Sequence, residues 1–285
     1  MDSDSFHYST RSEVDNIRVH RSPRLGALAA AALALARLAA AQEPPIEVNP
    51  NRPTFATPAR TTQVGVAEVE FGVQQSYLHE NATAFSSPTL LKLGVAEDFE
   101  ARLSTNGLLH LTDPGSRSAT GLGDLALGAQ WCFARGSVGG ADLAVQVTHK
   151  FATASARDGL GSGAADDTLG FFLSRDFGDD HVDVNFLHTW LGLPRSAGGG
   201  RAHQPAVTLS VSHKLGGAWS CGGEVYGIGG TALGARVVSN LWYVAYQPST
   251  RLVLDAGTDI GLTRGAQRYS LFAGLTWGIG RFRRP

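Results

Sequence analysis

The stretches LVLDAGTDIGL, residues 252–262, and YSLFAGLTWGI, residues 269–279, decide the fold. In both, apolar residues recur at every second position, and the residues between them are mostly small or polar. Because successive side chains of a β-strand point to opposite faces, each stretch forms a strand with one apolar and one polar surface. An α-helix would not separate these residues, so the pattern predicts a β-hairpin.

The same period of two recurs about twelve times after residue 63, and the connections between repeats alternate in length. Outer-membrane barrels show this alternation, with short periplasmic turns and longer external loops. Two hairpins near residues 231 and 264 are briefer, although they fall where the alternation places the longer loops. Short turns are expected near Glu97, Ser137, Asp179, Gly216 and Ser249, and longer loops at residues 79–87, 110–120, 152–166 and 192–205.

A soluble sandwich would show the same alternation with its apolar face turned inward. The amino-terminal residues favour export instead. Arg21 and Arg24 precede an apolar run over residues 25–36, and residues 39–41 are three alanines suited to cleavage. No later stretch approaches the roughly 18 apolar residues of a membrane helix. Residues 1–41 are therefore expected to be an extension and signal peptide cleaved near Ala41.

The sequence predicts an all-β protein, a transmembrane antiparallel up-and-down β-barrel of about 12 strands over residues 63–285. Its expected location is the outer membrane of a Gram-negative cell. Residues 42–62 contain five prolines and cannot form a regular strand or helix. This Pro-rich segment could enter the lumen as a plug or hang in the periplasm. Arg52 and Phe55 are its candidates for contact with the lumen.

Thirteen ionisable residues fall on the polar parity and are expected to line the lumen. They are expected to brace the barrel through ion pairs, because buried charges must be paired. Their alternative role is a polar track that orients a permeating solute. The residues are Glu68, Glu70, Lys92, Glu100, Arg102, Asp124, Asp142, Lys150, Asp183, Lys214, Glu224, Asp255 and Asp259.

Aromatic residues on the apolar parity are expected to form an interfacial girdle, or alternatively a portal for a hydrophobic substrate. They are Phe151, Trp190, Tyr243, Tyr269 and Trp277. His149 and His188 share this parity, and a barrel lipase would use such a histidine with a serine and an asparagine. No serine or asparagine lies on the outward parity near either histidine in its own strand, and no nucleophile elbow is present. The expectation is a protein that is not an enzyme, with a lipase as an alternative.

Other classes of chemistry find little support. The formal net charge of -1 offers no basic surface for nucleic acid. The nine histidines show no metal-ligand spacing, so no metal or cofactor is expected. Cys132 and Cys221 fall on opposite parities, which disfavours a disulfide.

Five segments carry a resemblance to a known family: NRPTF at 51–55, TLLKLGVAEDFEARLS at 89–104, GLGDLALGAQWCF at 121–133, DDTLGFFLSRDFGDD at 166–180 and LFAGLTWGIG at 271–280. The chain resembles the outer-membrane β-barrels catalogued under the MetA pathway of phenol degradation and often labelled transporters. Members usually have Asp at the position of Asn51 and end on an aromatic residue, whereas here Phe282 is followed by RRP.

The resemblance implies a barrel of the outer membrane and a link to the uptake of hydrophobic or aromatic compounds. The expected function is a channel for passive uptake of such small compounds, with the loops at residues 152–166 and 192–205 gating entry. Expected partners are outer-membrane lipid, the barrel-assembly machinery and the small solute. The alternative is a structural or adhesive barrel with a closed lumen.

Overall fold

The computed structural model describes residues 44–115, 118–231 and 234–283. The predicted signal peptide, residues 1–41, lies outside the described residues. The barrel and the segment that precedes it belong to one compact unit, Ile46–Pro285. No helix in the described part of the chain is long and apolar enough to cross a membrane.

Fifteen β-strand segments form one antiparallel sheet. Two short 3-10 turns, His79–Asn81 and Arg195–Ala197, lie in the connections. The strands are β1 (Val66–Tyr77), β2 (Thr83–Ser86), β3 (Thr89–Ala96), β4 (Phe99–Thr105), β5 (Leu108–Thr112), β6 (Ala119–Leu122), β7 (Leu125–Val138), β8 (Ala141–Lys150), β9 (Asp166–Phe177), β10 (Asp180–Gly192), β11 (Arg201–Gly216), β12 (Trp219–Ile228), β13 (Val237–Ser249), β14 (Leu252–Gly261) and β15 (Tyr269–Arg281).

Three strands of the barrel are interrupted. β2 and β3 continue each other across residues 87–88, β4 and β5 across residues 106–107, and β6 and β7 across residues 123–124. Pro88 and Gly107 lie at two of these breaks, and proline cannot donate to a strand ladder. Counting each pair once gives twelve strands, and the pairing of β1 with β15 from Val66↔Arg281 to Tyr77↔Tyr269 closes the sheet. The predicted twelve-stranded antiparallel barrel is confirmed.

The connections differ in length at the two ends of the barrel. At the end where β1 begins, the turns are residues 97–98, 139–140, 178–179, 217–218 and 250–251. We call this the short-turn end. At the longer-loop end the connections are residues 78–82, 113–118, 151–165, 193–200, 229–236 and 262–268. The last two have eight and seven residues, close to the eight of the loop over residues 193–200, so they are not the brief hairpins that the sequence indicated.

The barrel is apolar outside and polar inside. Large side chains such as Trp131, Phe171 and Phe186 are about half exposed on the outer wall, whereas Lys92 and Glu68 are fully buried inside. A soluble sandwich has the opposite arrangement, so the outer wall is the surface that requires a nonaqueous environment.

The outward aromatic residues lie near both ends of the wall. Tyr243 is a correction to the sequence prediction, because it lies on the inner face beside Ala245 and lines a cavity. Its neighbour Trp242 is the outward residue, with an exposure of 58%. The other predicted members of the girdle, Phe151, Trp190, Tyr269 and Trp277, are on the outer wall.

Candidate functional site

Residues 46–63, which we call the inner segment, lie inside the barrel. Their contacts follow the wall in the order in which the strands are arranged around it. The segment touches β1 and β3 first, passes β14, β12, β10, β9, β8, β7 and β4, and returns to β3, where Val64 bridges Gly94. The inner segment therefore makes one circuit of the lumen before it enters β1.

The wall binds the inner segment mainly through backbone amides. Eight amides donate to side chains of the wall, and most of the acceptors are carboxylates. Hydrogen bonds to an ionised acceptor are stronger than neutral ones. The pairs are Asn49 to Glu68 Oε2 (3.0 Å), Asn51 to Glu70 Oε1 (2.8 Å), Arg52 to Glu70 Oε2 (2.9 Å), Phe55 to Glu224 Oε2 (2.7 Å), Ala56 to Glu224 Oε1 (2.7 Å), Thr57 to Asn185 Oδ1 (2.6 Å), Ala59 to Ser174 Oγ (2.7 Å) and Thr62 to Glu100 Oε2 (2.7 Å).

Two uncharged residues of the wall hold carbonyl groups of the inner segment. Asn185 Nδ2 donates to the carbonyl of Thr57 at 3.0 Å, so the two residues are joined in both directions. Gln130 Nε2 donates to the carbonyl of Pro58 at 2.8 Å. Both side chains are almost completely buried. Neither residue is ionisable, so neither was among the predicted lumen residues, although both lie on the polar parity of their strands.

Lys92 joins the start of the inner segment to β1. Its ammonium lies 2.6 Å from Glu68 Oε1 and 2.7 Å from Glu70 Oε1, and all three side chains are almost fully buried. The ammonium also donates to Asn51 Oδ1 at 3.0 Å and to the carbonyl of Asn49. One cation thus compensates two carboxylates in a site without water access.

Arg52 lies in a recess made by two glycines. Its Nε and Nη2 bind Asp255 at 3.1 and 2.9 Å, a two-point ion pair. Gly72 and Gly274 face each other across the β1–β15 pair, and a Cβ on either would lie 2.2 to 2.4 Å from the guanidinium. The missing side chains make the space that Arg52 occupies.

Replacing Gly274 by valine is expected to displace Arg52 and separate it from Asp255. The control is Gly280→Val on the same strand, where a Cβ would meet nothing within 4 Å. Limited proteolysis of the folded barrel should then cleave the inner segment faster in the Gly274 variant than in the Gly280 variant. Equal cleavage rates would show that the recess does not hold the segment.

The inner segment separates two cavities. The upper cavity, about 850 Å³, opens toward the longer-loop end and is lined by Phe55, Arg102, Lys150, Tyr226 and Leu241 among others. The lower cavity, about 620 Å³, lies at the short-turn end and includes Pro58, His181, Lys214 and Tyr243.

Charges in the upper cavity are largely compensated. Lys150 pairs with Asp124 at 3.2 Å and Asp166 at 2.8 Å. Arg102 pairs with Glu100 at 2.6 Å. Compensated charges do not hold a charged solute strongly, so polar contacts and ring surfaces remain available for recognition.

All thirteen ionisable residues proposed for the lumen lie on the inner face, in three groups. Their role in permeation stays a prediction. Glu68, Glu70, Lys92, Glu100, Asp142, Glu224 and Asp255 contact the inner segment; Arg102, Asp124, Lys150 and Asp259 line the upper cavity; Asp183 and Lys214 line the lower cavity.

The residues suspected of chemistry do not assemble into a reactive group. Within the described residues, no cluster of three or more His, Cys, Asp or Glu side chains is placed to hold a metal. Cys132 and Cys221 are both free thiols. His149 bonds Asp167, and His188 bonds His203, rather than a serine.

Comparison with known proteins supports the fold. No protein-family model matches the chain, and no curated protein matches it. A solved structure described as the COG4313 outer membrane channel from Pseudomonas putida F1 is similar, with a TM-score of 0.60. The identity is 14%, over 81% of this chain and 99% of that one. The chain has the fold of that barrel.

A second solved structure is more distant. It is described as the KdgM porin in complex with disordered oligogalacturonate, and it matches with a TM-score of 0.50. The identity is 9%, over 75% of this chain and 99% of that one. At these identities the likeness concerns architecture, and the chemistry of the lumen must be read from the residues of this chain.

Proposed function

We propose that this protein is an outer-membrane channel for the passive uptake of small hydrophobic or aromatic compounds. The apolar outer wall and polar interior support a membrane location, because this arrangement is stable only when lipid surrounds the barrel. The fold shared with an outer-membrane channel supports the same conclusion. The resemblance to the MetA-pathway barrels supports aromatic compounds as the solute class.

The proposal includes an orientation and a route to the membrane. The short-turn end faces the periplasm and the longer loops face outward, as in other barrels of this type. Residues 1–41 would direct export and be cleaved near Ala41, and the barrel-assembly machinery would insert the chain among outer-membrane lipids. We assign no catalytic role to any residue.

The observation that carries the solute class is an aromatic pair at the constriction. Phe55 projects from the inner segment and remains 42% exposed, and its ring centroid is 5.3 Å from that of Tyr226. Leu241 and Leu160 line the same cavity. An aromatic pair contributes about 0.5–1.5 kcal/mol beyond its buried area. A solute ring stacked here would be held weakly enough to leave again, as conduction requires.

Uptake would be driven by the solute gradient. A solute would enter the upper cavity from the longer-loop end, rest against Phe55 and Tyr226, and pass the inner segment into the lower cavity. The carboxylates beside Arg102 and Lys150 would compensate both cations, so the upper cavity would not favour an anion over an uncharged ring.

Replacing Phe55 by alanine is expected to weaken the binding of aromatic solutes. In planar bilayers, the concentration of a water-soluble aromatic amide that blocks half of the ion current should rise roughly two- to tenfold. Phe71→Ala, which removes a ring of the outer wall, is the matched control and should leave the block unchanged.

Liposome swelling tests the proposal as a whole. Liposomes containing the protein should swell faster in the aromatic amide than in a sugar of similar mass. If neither solute permeates and no ion current is seen, the channel proposal fails and the closed structural barrel replaces it.

A further inference from the structure

The outer wall carries a polar row near the longer-loop end, confined to four adjacent strands. The strand registers align His149 of β8 with Asp167 of β9, Asp167 with Trp190 of β10, and Trp190 with His203 of β11. Arg201 lies two residues before His203, and its Nη1 reaches Asp167 Oδ2 at 2.5 Å. We call these five residues the outer row.

The outer row is bonded within itself but remains accessible. His149 Nδ1 lies 2.6 Å from Asp167 Oδ1. The exposed fraction is 42% for the side chain of His149 and 50% for that of Arg201. Asp167 therefore neutralises Arg201, and both the guanidinium of Arg201 and the ring of His149 remain partly exposed.

His203, the outer-row histidine on β11, is paired with His188 of β10. His188 Nε2 and His203 Nδ1 are 3.0 Å apart. Two neutral imidazoles that share one such hydrogen bond leave one further N–H unused, and uptake of a proton leaves two. One N–H of the pair, at His203 Nε2 or at His188 Nδ1, is therefore not used between the two rings.

Below the outer row, the wall has an apolar groove of about 570 Å³. Its sides are formed by Leu127, Ala129, Val147, Leu169 and Trp190, and His149 and Asp167 lie at its upper end.

The strands β13, β14, β15 and β1 differ at this height. On β1 and β15, Tyr77 and Tyr269 stack with ring centroids 4.6 Å apart. On the neighbouring strands, Ile260 of β14 and its register partner Asn240 of β13 face outward and are uncharged. A position at the membrane interface therefore does not by itself account for the charges on β8 to β11.

We propose that the outer row and the groove bind one phosphorylated glycolipid of the outer leaflet, such as lipid A. An acyl chain fills the groove, since a groove on a wall facing lipid is filled by lipid. The phosphate accepts hydrogen bonds from Arg201 and from the free N–H of the His188–His203 pair, because guanidinium and imidazole N–H groups are suited to phosphate oxygens. The site rests on the proposed location in the outer membrane.

Native mass spectrometry of the detergent-purified barrel tests this site. Lipid A, its dephosphorylated counterpart and phosphatidylglycerol are added in equal amounts. The wild-type protein should retain one lipid A molecule in preference to the other two. Retention should fall at least fivefold in the Arg201→Gln/His203→Gln double variant, and likewise in Ala129→Trp, which fills the groove.

Two matched variants serve as controls. His213→Gln removes an outward histidine at the short-turn end, where it pairs with Asp180 at 2.8 Å. Ala273→Trp adds the same bulk to an outward alanine on β15. Both should retain lipid A like the wild type. Heat-modifiable migration on gels identifies the variants that have folded, and the double variant changes only exposed side chains.

Several results would overturn the site. They are equal retention of the dephosphorylated lipid, preference for phosphatidylglycerol, or unchanged retention in both the double variant and Ala129→Trp. If Ala129→Trp alters aromatic uptake but not lipid retention, the groove serves the solute. The readout does not depend on conductance, so a failure of the channel proposal is distinguishable from a failure of this one.

Discussion

Replacing Lys92 by methionine is expected to lower the free energy of unfolding by about 3–5 kcal/mol. The substitution keeps the volume of the side chain but removes the ammonium that lies between Glu68 and Glu70. Both carboxylates are then buried with no cation in contact. Removing one partner of a buried ion pair is costly for this reason.

The temperature at which the barrel loses its compact migration on gels measures this loss. In the triple variant Lys92→Met/Glu68→Gln/Glu70→Gln the unpaired charges are absent, and most of the stability should return. Arg60→Met is the control, because the Arg60 side chain is 61% exposed and its pair with Asp142 is worth about 1 kcal/mol or less. A loss in Lys92→Met no larger than in Arg60→Met would contradict the assignment.

Deleting residues 46–62 is expected to raise the single-channel conductance several-fold. The inner segment separates the upper and lower cavities, so its removal joins them into one continuous path. Recordings in planar bilayers measure this directly. Unchanged conductance in the folded deletion variant would show that the constriction lies elsewhere.

A point substitution tests the same contact with less disturbance. Glu224 accepts the amides of Phe55 and Ala56, one on each oxygen. Glu224→Gln keeps only one acceptor oxygen, so one amide loses its partner and brief openings should become more frequent. Asp259→Asn is the control, because Asp259 bonds Tyr226 and Ser239 and not the inner segment.

The sequence was sufficient for the barrel but not for the path of the inner segment. Alternation of apolar and polar residues reports directly on the two faces of a strand, so strand number and closure followed from it. The inner segment is held by its backbone amides. Because nearly every residue type has the same amide, these contacts cannot be recognised in the sequence. Five prolines excluded a regular element without indicating a circuit of the lumen.

The error at Tyr243 has a similar origin. β13 carries large apolar or aromatic residues on both faces, with Leu241 and Tyr243 inside and Trp242 outside. Only the neighbouring strands determine which face of β13 points inward. Leu241 is paired in register with Glu224 on one side and with Asp259 on the other. Those pairings are a property of the assembled sheet and could not be read from one strand.

Fastening through the main chain has an evolutionary consequence. Every residue type except proline supplies the same amide, so Phe55, Thr57 and Ala59 can be exchanged without losing their hydrogen bonds to the wall. The selectivity of such a pore can therefore diversify through a few exposed side chains while its anchoring stays intact. Related barrels could acquire new solutes without rebuilding their interiors.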